Sequence, residues 1–500
     1  FPIPYSPFPD YLLPITYSPF PIPYSPFPIP QSLITKDEVK MVTTTKAPAI
    51  VSLQAPKDIS IDHIESELSK IWDSYRDVGG NGDYPVAIRA TTFTFVVYEP
   101  EETQQLLATL GFYTGPVDGI LGPATVQAIR AAQKAYGLPR SGKATDELIQ
   151  HLREELARKA LQNQGASESS SPRNNTLNAS SGSGLADAIA TANPCRIIAL
   201  CPTAGEDTGV QAQVSAYCPV NKRGSTTLTC CEYITLRGTE AALERVSGLV
   251  TELMINDLPR FLWWKATPDS NHALFKRLAN SSTSVIIDSS CFGEPETELL
   301  NLSALMEQGI PIADLNWQRI APWLELTAAT FDPPERRASV REIDRVTIDY
   351  ETGNSTQAFM YLGWLASRLQ WHPVSYKLEE GDYQIKRVQL VGPDHRRVEV
   401  ELAAIPVADS GDVIGDLIAL RLDSTNEKAA CKTVLCSETG GCMRMESHGG
   451  AQSGLVQQVT PLFDQQTEQL LSQQLQRGGR DMLYEESLAI VTQILKLKLS

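Results

Sequence analysis

Hydrophobic residues recur at helical spacing in the N-terminal part of the chain, after its first 57 residues. Between positions 58 and 76, isoleucine, leucine and tryptophan return every three or four residues, which predicts a helix. The stretch Ala90–Tyr98 is rich in threonine, phenylalanine and valine, and therefore predicts a strand.

From residue 185 to 425, short apolar runs alternate with longer helical patterns. The first half of this region predicts βαβ units and a mixed or parallel sheet covered by helices. The stretch 384–421 predicts an antiparallel meander. Predicted strands are 196–201, 211–217, 230–237, 260–265, 284–288, 343–350, 384–391, 397–403 and 416–421, and predicted helices are 239–255, 270–279, 296–307, 315–329, 355–370, 460–477 and 480–497.

A separate small module occupies residues 103–150. Leucines predict its first helix, Gly-Pro and Asp-Gly dipeptides predict a tight loop, and Pro123 stands where the first turn of a second helix tolerates proline. A third helix is predicted from Thr145. The fold class is therefore mixed α/β (α+β) and multi-domain: a βαβ-type sheet scaffold with an inserted three-helix bundle and C-terminal helices.

A segment dominated by serine, asparagine and glycine, residues 163–184, is typical of a flexible linker and marks the clearest boundary. The complete division is 1–40 (proline-rich repeat), 41–100 (helix and strand of the scaffold), 101–160 (three-helix module), 161–184 (linker), 185–330 (α/β domain), 331–429 (α+β domain), 430–455 (Cys/Gly-rich loop) and 456–500 (C-terminal helices).

The first 30 residues contain 11 prolines, and the segment PIPYSPF occurs at 2–8 and again at 21–27. Proline removes backbone donors and fixes φ, so polyproline II or disorder is expected. The favoured interpretation is a translated upstream repeat, with Met41 as the biological start. The alternative is a proline-rich docking arm.

The chain carries a formal net charge of -16 and a sequence pI near 5.0. This balance argues against nucleic acid and against an anionic membrane surface, because both require clustered lysine and arginine. No run of about 18 apolar residues is present, and no basic segment followed by an apolar one resembles a signal peptide. Nine cysteines in 500 residues are too few for a disulfide scaffold, so a reducing cytoplasm is expected.

Sequence motifs for catalysis are absent: no phosphate-binding loop, no GxGxxG after a strand, and no HExxH, GxSxG or CxxC. The sequence therefore predicts a protein without catalytic, cofactor or metal sites. One alternative is a catalytic Asp288 or Cys291, because both follow a predicted strand, where α/β enzymes often keep reactive groups. A strand-end turn with a helix cap is the competing interpretation.

Four tryptophans are candidates for a partner interface: Trp263, Trp264, Trp317 and Trp323. Tryptophan is enriched at protein interfaces, but it also buries a large area in cores. Both interpretations remain open from the sequence.

Cys431, Cys436 and Cys442 lie in a predicted glycine-rich loop where solvent would reach the sulfur atoms. Such a loop favours a reversible disulfide between Cys436 and Cys442, with a thioredoxin-type protein as reductant. Zinc binding with His448 is an alternative, although the spacing matches no standard finger, and incidental thiols are another. The remaining cysteines are expected to be buried, inert thiols: Cys195, Cys201, Cys218, Cys230, Cys231 and Cys291.

The 103–150 module resembles the peptidoglycan-binding-like domain. The resemblance rests on Leu110-Gly111-Phe112-Tyr113, the turn residues 115–119, and Gly122-Pro123-Ala124-Thr125. It implies a small three-helix bundle of the kind found on cell-wall enzymes. No signal peptide or hydrolase domain accompanies it here, so we expect a fold reused for protein contact, with wall binding as the alternative.

The remainder resembles the glucose-6-phosphate dehydrogenase assembly protein (OpcA) family. The matching stretches include Asn193-Pro194-Cys195-Arg196, Asp257–Trp264, Val285–Ser289 and Tyr361–Leu365. The resemblance implies a cytoplasmic, non-catalytic protein that binds glucose-6-phosphate dehydrogenase and promotes its active oligomer. The family offers no catalytic residues to carry over.

Overall fold

The computed structural model describes residues 51–52, 59–78, 86–89, 91–99, 102–113, 123–142, 144–164, 194–203, 207–217, 227–334, 336–381, 383–406, 413, 415–426, 429, 431–438, 442–447, 456–461, 467–477 and 479–499. All of these belong to one compact unit. The predictions for residues 1–40 and for the linker lie outside the described residues. The helices are α1 (Ile61–Val78), α2 (Glu102–Thr109), α3 (Pro123–Ala135), α4 (Asp146–Gln164), α5 (Glu240–Arg245), α6 (Ser247–Leu253), α7 (Ala273–Ser281), α8 (Pro295–Glu307), α9 (Leu315–Arg319), α10 (Ala321–Phe331), α11 (Thr356–Leu369), α12 (Thr467–Arg477) and α13 (Met482–Leu499).

The first sheet is mixed, as the alternating pattern predicts. Its order is β1-β5-β6-β4-β3-β7-β8-β9, with β2 beside β6. The pairs from β6 through β4, β3, β7 and β8 to β9 are parallel, whereas β5 is antiparallel to β6 and β1 is antiparallel to β5. The strands are β1 (Val51–Ser52), β2 (Val86–Arg89), β3 (Thr94–Tyr98), β4 (Arg196–Pro202), β5 (Gln211–Tyr217), β6 (Thr227–Gly238), β7 (Arg260–Trp264), β8 (Ser284–Ile287) and β9 (Ile312–Asp314).

Helix α1 is fixed to this sheet by apolar packing and by a buried ion cluster. Its apolar stripe, which includes Ile64 and Leu68, lies in the main core. The Glu232 carboxylate accepts from Arg196 Nε at 2.8 Å and from the indole Nε1 of Trp72 at 2.9 Å. Arg196 also pairs with Glu65 at 2.8 Å, so one buried guanidinium joins α1, β4 and β6.

The three-helix module lies in the chain between the adjacent parallel strands β3 and β4. Its helices α2, α3 and α4 enclose a core of their own, which includes the fully buried Leu107, Ile129 and Leu148. Buried Gln104 donates to Tyr113 and Thr125, at 3.1 and 3.2 Å. The predicted three-helix bundle is therefore confirmed.

The second sheet has eight strands in the order β11-β12-β13-β10-β14-β15-β16-β17. All neighbours are antiparallel except β10 and β13. The predicted loop at 430–455 is wrong in part, because residues 433–438 and 442–447 are strands that extend the sheet from β14. The strands are β10 (Arg345–Glu351), β11 (His372–Glu379), β12 (Ile385–Val391), β13 (Arg397–Ile405), β14 (Leu417–Asp423), β15 (Thr433–Glu438), β16 (Cys442–Ser447) and β17 (Val456–Pro461).

Helices α11 and α13 cover one face of the second sheet. Residues 356–366 of α11 are all buried. Gly363 lets α13 approach closely, because a Cβ there would lie 2.8 Å from Val491 Cγ2 and closer still to the Ser487 carbonyl oxygen. None of the described helices is long and apolar enough to cross a bilayer.

Candidate functional site

Strand β3 lies between β4 and β7, so the connections that follow the parallel strands go to opposite sides of the sheet on either side of it. In open α/β sheets, ligands bind beyond the carboxyl ends of the strands at such a point. Aromatic side chains fill this position. The rings of Tyr98 and Trp264 stack with centroids 3.7 Å apart. Lys265 donates to the Glu99 carboxylate at 2.6 Å and lies 4.3 Å from the centre of the Trp263 ring. These contacts pack aromatic and ion-paired side chains against one another at the carboxyl ends of β3 and β7.

Asp288 follows β8 at the same edge and is held by structural partners. Both carboxylate oxygens accept from Arg319, each at 2.7 Å, and Oδ1 also accepts from the Ser290 amide at 3.1 Å. Burial alone would raise the pKa of Asp288, but the Arg319 guanidinium and Ser290 hold it below its ordinary value. The carboxylate therefore acts as a cap and an ion-pair partner, as the helix-cap interpretation predicts.

Cys291 is no better suited to nucleophilic chemistry. Burial, and then the nearby Asp288 charge, raise the pKa of its thiol to about 12. A thiol with so high a pKa stays protonated at neutral pH and is a poor nucleophile.

Asp314, at the end of β9, is a fully buried carboxyl that the sequence did not single out. It accepts from the amide and the hydroxyl of Ser289 at 3.0 and 2.6 Å, and from the hydroxyl of Tyr484 on α13 at 3.4 Å. Burial raises the pKa of Asp314 to about 6. The hydrogen bonds join the first sheet to the C-terminal helix.

The four candidate tryptophans are all buried, with 1 to 6% of each residue exposed. Trp263 and Trp264 belong to β7, and Trp323 lies in the main core. The indole of Trp317 donates to Asp481 at 2.9 Å, next to α13. These side chains pack within the chain, where their large apolar area is removed from water.

The cysteine candidates do not share one environment. Cys431 is fully buried, and desolvation raises the pKa of its thiol to about 11, which corrects the expectation that solvent reaches it. Cys436 is half-buried on β15, where its backbone pairs with Arg444. Cys442 begins β16 opposite Glu438. The register thus makes Cys436 and Cys442 diagonal neighbours on adjacent strands. Diagonal Cα atoms are about 7–8 Å apart, whereas a disulfide usually joins Cα atoms about 4.4–6.8 Å apart.

Two further cysteine predictions have separate outcomes. Cys230 is disulfide-bonded, which corrects the expectation of a free thiol. The zinc alternative depends on His448, which lies outside the described residues. Within the described part of the chain, no group of three metal-ligand side chains comes together.

The second sheet presents a broad polar surface on the side away from α11 and α13. We call it the open face. Arg387 on β12 pairs with Glu379 on β11 at 2.7 Å and with Glu401 on β13. Burial, and then the charge of Glu401, raise the pKa of Asp349, while Arg421 counteracts them from 3.9 Å. The charged residues of the open face are Arg345, Asp349, Lys377, Glu379, Arg387, Arg397, Glu399, Glu401, Arg421 and Asp423.

Cys436 shares this surface with the charged residues. Its register partner is Ala419, whose own partner on β10 is Asp349. Residues directly opposite one another share a face of a sheet, so Cys436 belongs to the open face. The sequence missed this arrangement because it depends on which strands become neighbours.

The three-helix module has a cavity of about 560 Å³ lined by Phe112, Tyr136, His151 and Arg158, among others. The rings of Tyr136 and His151 stack with centroids 5.6 Å apart. Burial, and then the charge of Glu155, raise the pKa of Tyr136.

Comparison with known families assigns most of these elements. Residues 186–304 match the model described as "Glucose-6-phosphate dehydrogenase subunit N-terminal domain", and residues 310–488 match its C-terminal domain. Residues 98–152 match the model described as "Putative peptidoglycan binding domain".

Three curated relatives each carry the name "Putative OxPP cycle protein OpcA". The protein from Nostoc punctiforme is 59% identical over 93% of this chain and 100% of its own length. That from Synechocystis is 56% identical over 91% and 95%, and that from Synechococcus elongatus is 50% identical over 90% and 99%. The chain therefore belongs to the OpcA family, whose domains are described as those of a glucose-6-phosphate dehydrogenase subunit.

Proposed function

We propose that this protein binds glucose-6-phosphate dehydrogenase through the open face and favours the active oligomer of that enzyme, without catalysing a reaction itself. The open face supports this proposal because it is a broad surface, formed by the strands of one sheet, that carries charges of both signs. Such a surface suits a specific protein partner, since complementary charges steer encounter and exclude wrong partners. The family match to dehydrogenase subunit domains supports the choice of partner.

Activation then requires differential affinity. A binding protein shifts an enzyme between states only by as much as it prefers one of them. At the carboxyl edge of the first sheet, Asp288 is held by Arg319, and Asp314 is held by Ser289 and Tyr484. These carboxyl groups serve internal contacts, which supports a binding role over catalysis at this edge.

We also propose that this binding is under redox control through Cys436 and Cys442. Reduction by a thioredoxin-type protein would break a Cys436–Cys442 disulfide: the two thiols of the reductant supply two electrons and two protons and form a disulfide themselves, and Cys436 and Cys442 become thiols. Because the two backbones are diagonal, closing this bond moves the β15–β16 hairpin. Cys436 belongs to the open face, so that movement changes the surface that meets the enzyme.

The binding test measures the affinity of the full chain for the dehydrogenase, and the apparent affinity of the enzyme for glucose 6-phosphate, before and after addition. Arg345→Glu combined with Arg421→Glu should weaken binding roughly tenfold or more, because both arginines are exposed on the open face. Lys70→Glu on α1, also exposed, is a charge reversal away from the open face and serves as the control. Wild-type binding by the double variant would exclude the open face, and absence of binding by the wild type would reject the function.

The redox test compares binding by reduced and oxidised protein. Cys436→Ser and Cys442→Ser should each remove any difference, whereas Cys230→Ser should leave it intact. A redox response that survives the first two variants and disappears with the third would transfer control to the disulfide of β6.

A second function, binding of cell-wall glycan, is favoured by the cavity of the three-helix module. Stacked Tyr136 and His151 offer an aromatic platform, and Arg158 adds a charged donor. The full chain should then sediment with isolated sacculi, and Tyr136→Ala should abolish this. Retention that is unaffected by Tyr136→Ala, or no retention at all, would reject this function.

A further inference from the structure

Strand β11 forms one edge of the second sheet. Among the described strands it pairs with β12 alone. Along eight residues, every second N–H and C=O therefore points away from the sheet. Such an edge is a template for pairing with another strand, and monomeric proteins usually protect it.

Apolar side chains are exposed at this same edge. On β11, Val374 is 54% exposed and Leu378 39%, and Tyr383, in the connection to β12, is 44% exposed; these are three of the five exposed large hydrophobic side chains in the described chain. Tyr376, between the first two, is instead held inward, with its hydroxyl donating to Glu296 at 2.8 Å. The edge thus combines unpaired backbone with exposed apolar surface, which is typical of a strand that acquires a neighbour.

The charges of β11 indicate which strand that neighbour is. On the open face, Lys377 lies opposite Arg387 of β12, and among the described residues it forms no ion pair. Glu379 follows two positions later on the same face. When two copies of β11 pair antiparallel about a twofold axis, only registers that match residues of the same face are possible.

Three such registers centre on residues 376, 377 and 378, and centring earlier in the strand brings still more of the bulge into the pairing. Centring on Tyr376 requires Pro373 and the bulge between Pro373 and Ser375 to pair, which disfavours it. Centring on Lys377 places two ammonium groups opposite each other, which is unfavourable. Centring on Leu378 places each Lys377 opposite Glu379 of the second copy and brings the two Leu378 side chains together on the other face.

We propose that β11 is a homodimer interface, in which a second copy of this chain pairs antiparallel with Leu378 at the twofold axis. The two eight-stranded sheets then join into one sheet of sixteen strands. Since the axis is perpendicular to the sheet, both open faces lie on the same side. The assembly presents two equivalent open faces in a fixed geometry, and the proposal holds whether or not the dehydrogenase binds there.

The test is sedimentation equilibrium of the full chain over a concentration series, with charge reversals at the edge. Lys377→Glu and Glu379→Lys should each weaken the dimer about tenfold or more, because each makes two symmetry-related pairs repulsive. The double variant Lys377→Glu/Glu379→Lys restores opposite charges across the axis and should restore dimerisation to within about threefold.

Folding is not at risk in Lys377→Glu, because the substitution also places a carboxylate opposite Arg387. Lys70→Glu is the control for the change in net charge and should leave the dimer unaltered. A chain that stays monomeric throughout, or one whose dimer ignores both single reversals, would overturn the proposal. So would a monomer whose edge variants lose dehydrogenase binding, since β11 would then serve the enzyme.

Discussion

Gly363, in the middle of α11, is a position where alanine should destabilise the protein, contrary to its usual effect in a helix. Alanine ordinarily stabilises a helix interior by about 1 kcal/mol relative to glycine. Here the added Cβ would stand 3.0 Å from the Ser487 carbonyl carbon, closer to its oxygen, and 2.8 Å from Val491 Cγ2. Two of these three atoms belong to backbone, so no rotamer change can relieve the overlap.

The size of the effect follows from comparing the two terms. Overpacking a well-packed core typically costs about 1–3 kcal/mol, and more when backbone must move. The propensity gain offsets roughly 1 kcal/mol of this. Residues on both sides of the contact, including Leu362 and Leu488, are buried, so separating the helices also opens voids in the core. We therefore expect Gly363→Ala to lower the free energy of unfolding by about 1–3 kcal/mol net.

Gly248 in α6 provides the matched control. A Cβ there meets only Arg277 Nη1 at 3.7 Å, which is ordinary contact. Gly248→Ala should therefore raise stability by up to about 1 kcal/mol. Guanidinium unfolding followed by circular dichroism compares both variants with the wild type. If Gly363→Ala proves as stable as Gly248→Ala, the close approach of α11 to α13 is wrong.

Three further predictions concern buried ionisable groups. Glu232→Ala should cost about 3–5 kcal/mol in denaturant unfolding, because it leaves the Arg196 guanidinium in the core without its main partner; a loss under 1 kcal/mol would contradict a buried pair. The raised pKa of Asp314 means that the folded state holds this proton more tightly than the unfolded chain, so its contribution to stability is complete below about pH 4 and disappears as the pH rises through about 6. At about 1.36 kcal/mol per pKa unit this is worth about 3 kcal/mol, and Asp314→Asn should remove that part of the pH dependence. Under native conditions iodoacetamide should modify Cys436 well before Cys431, as read by mass spectrometry, and equal rates would contradict the burial of Cys431.

The sequence predicts the main strands and helices well where one face of an element is strongly apolar. The predicted strand 211–217 matches β5, and the predicted helix 355–370 matches α11 within a residue at each end. The predicted helix 315–329 is in fact two helices, because Pro322 begins a new one at its first turn. Local patterns carry this information, since period and proline act within a few residues.

Features that depend on distant partners escaped the sequence. Strand β11 reads as polar and irregular because it is an edge with one neighbour, and residues 433–438 read as a loop although β14 supplies their hydrogen-bond partners. Burial of Trp263 and Trp317 was equally undetermined, since tryptophan is common in cores and interfaces alike. Asp314 accepts a hydrogen bond from Tyr484, 170 residues away, and no local pattern contains that contact.

Helix α13 contacts both the carboxyl edge of the first sheet and the helix α11 that covers one face of the second sheet. Tyr484, at the start of α13, donates to Asp314, while Val491 and Ser487 of the same helix lie against Gly363 in α11. Strand-end carboxyls that would hold a ligand in many α/β proteins are used here to anchor that helix. A rigid connection of this kind suits a protein whose surfaces must keep a fixed spacing, because a partner that binds the open face then meets one framework and not two independent sheets. Function in this chain is therefore best sought on its outer surfaces, where the open face and the β11 edge remain available to other chains.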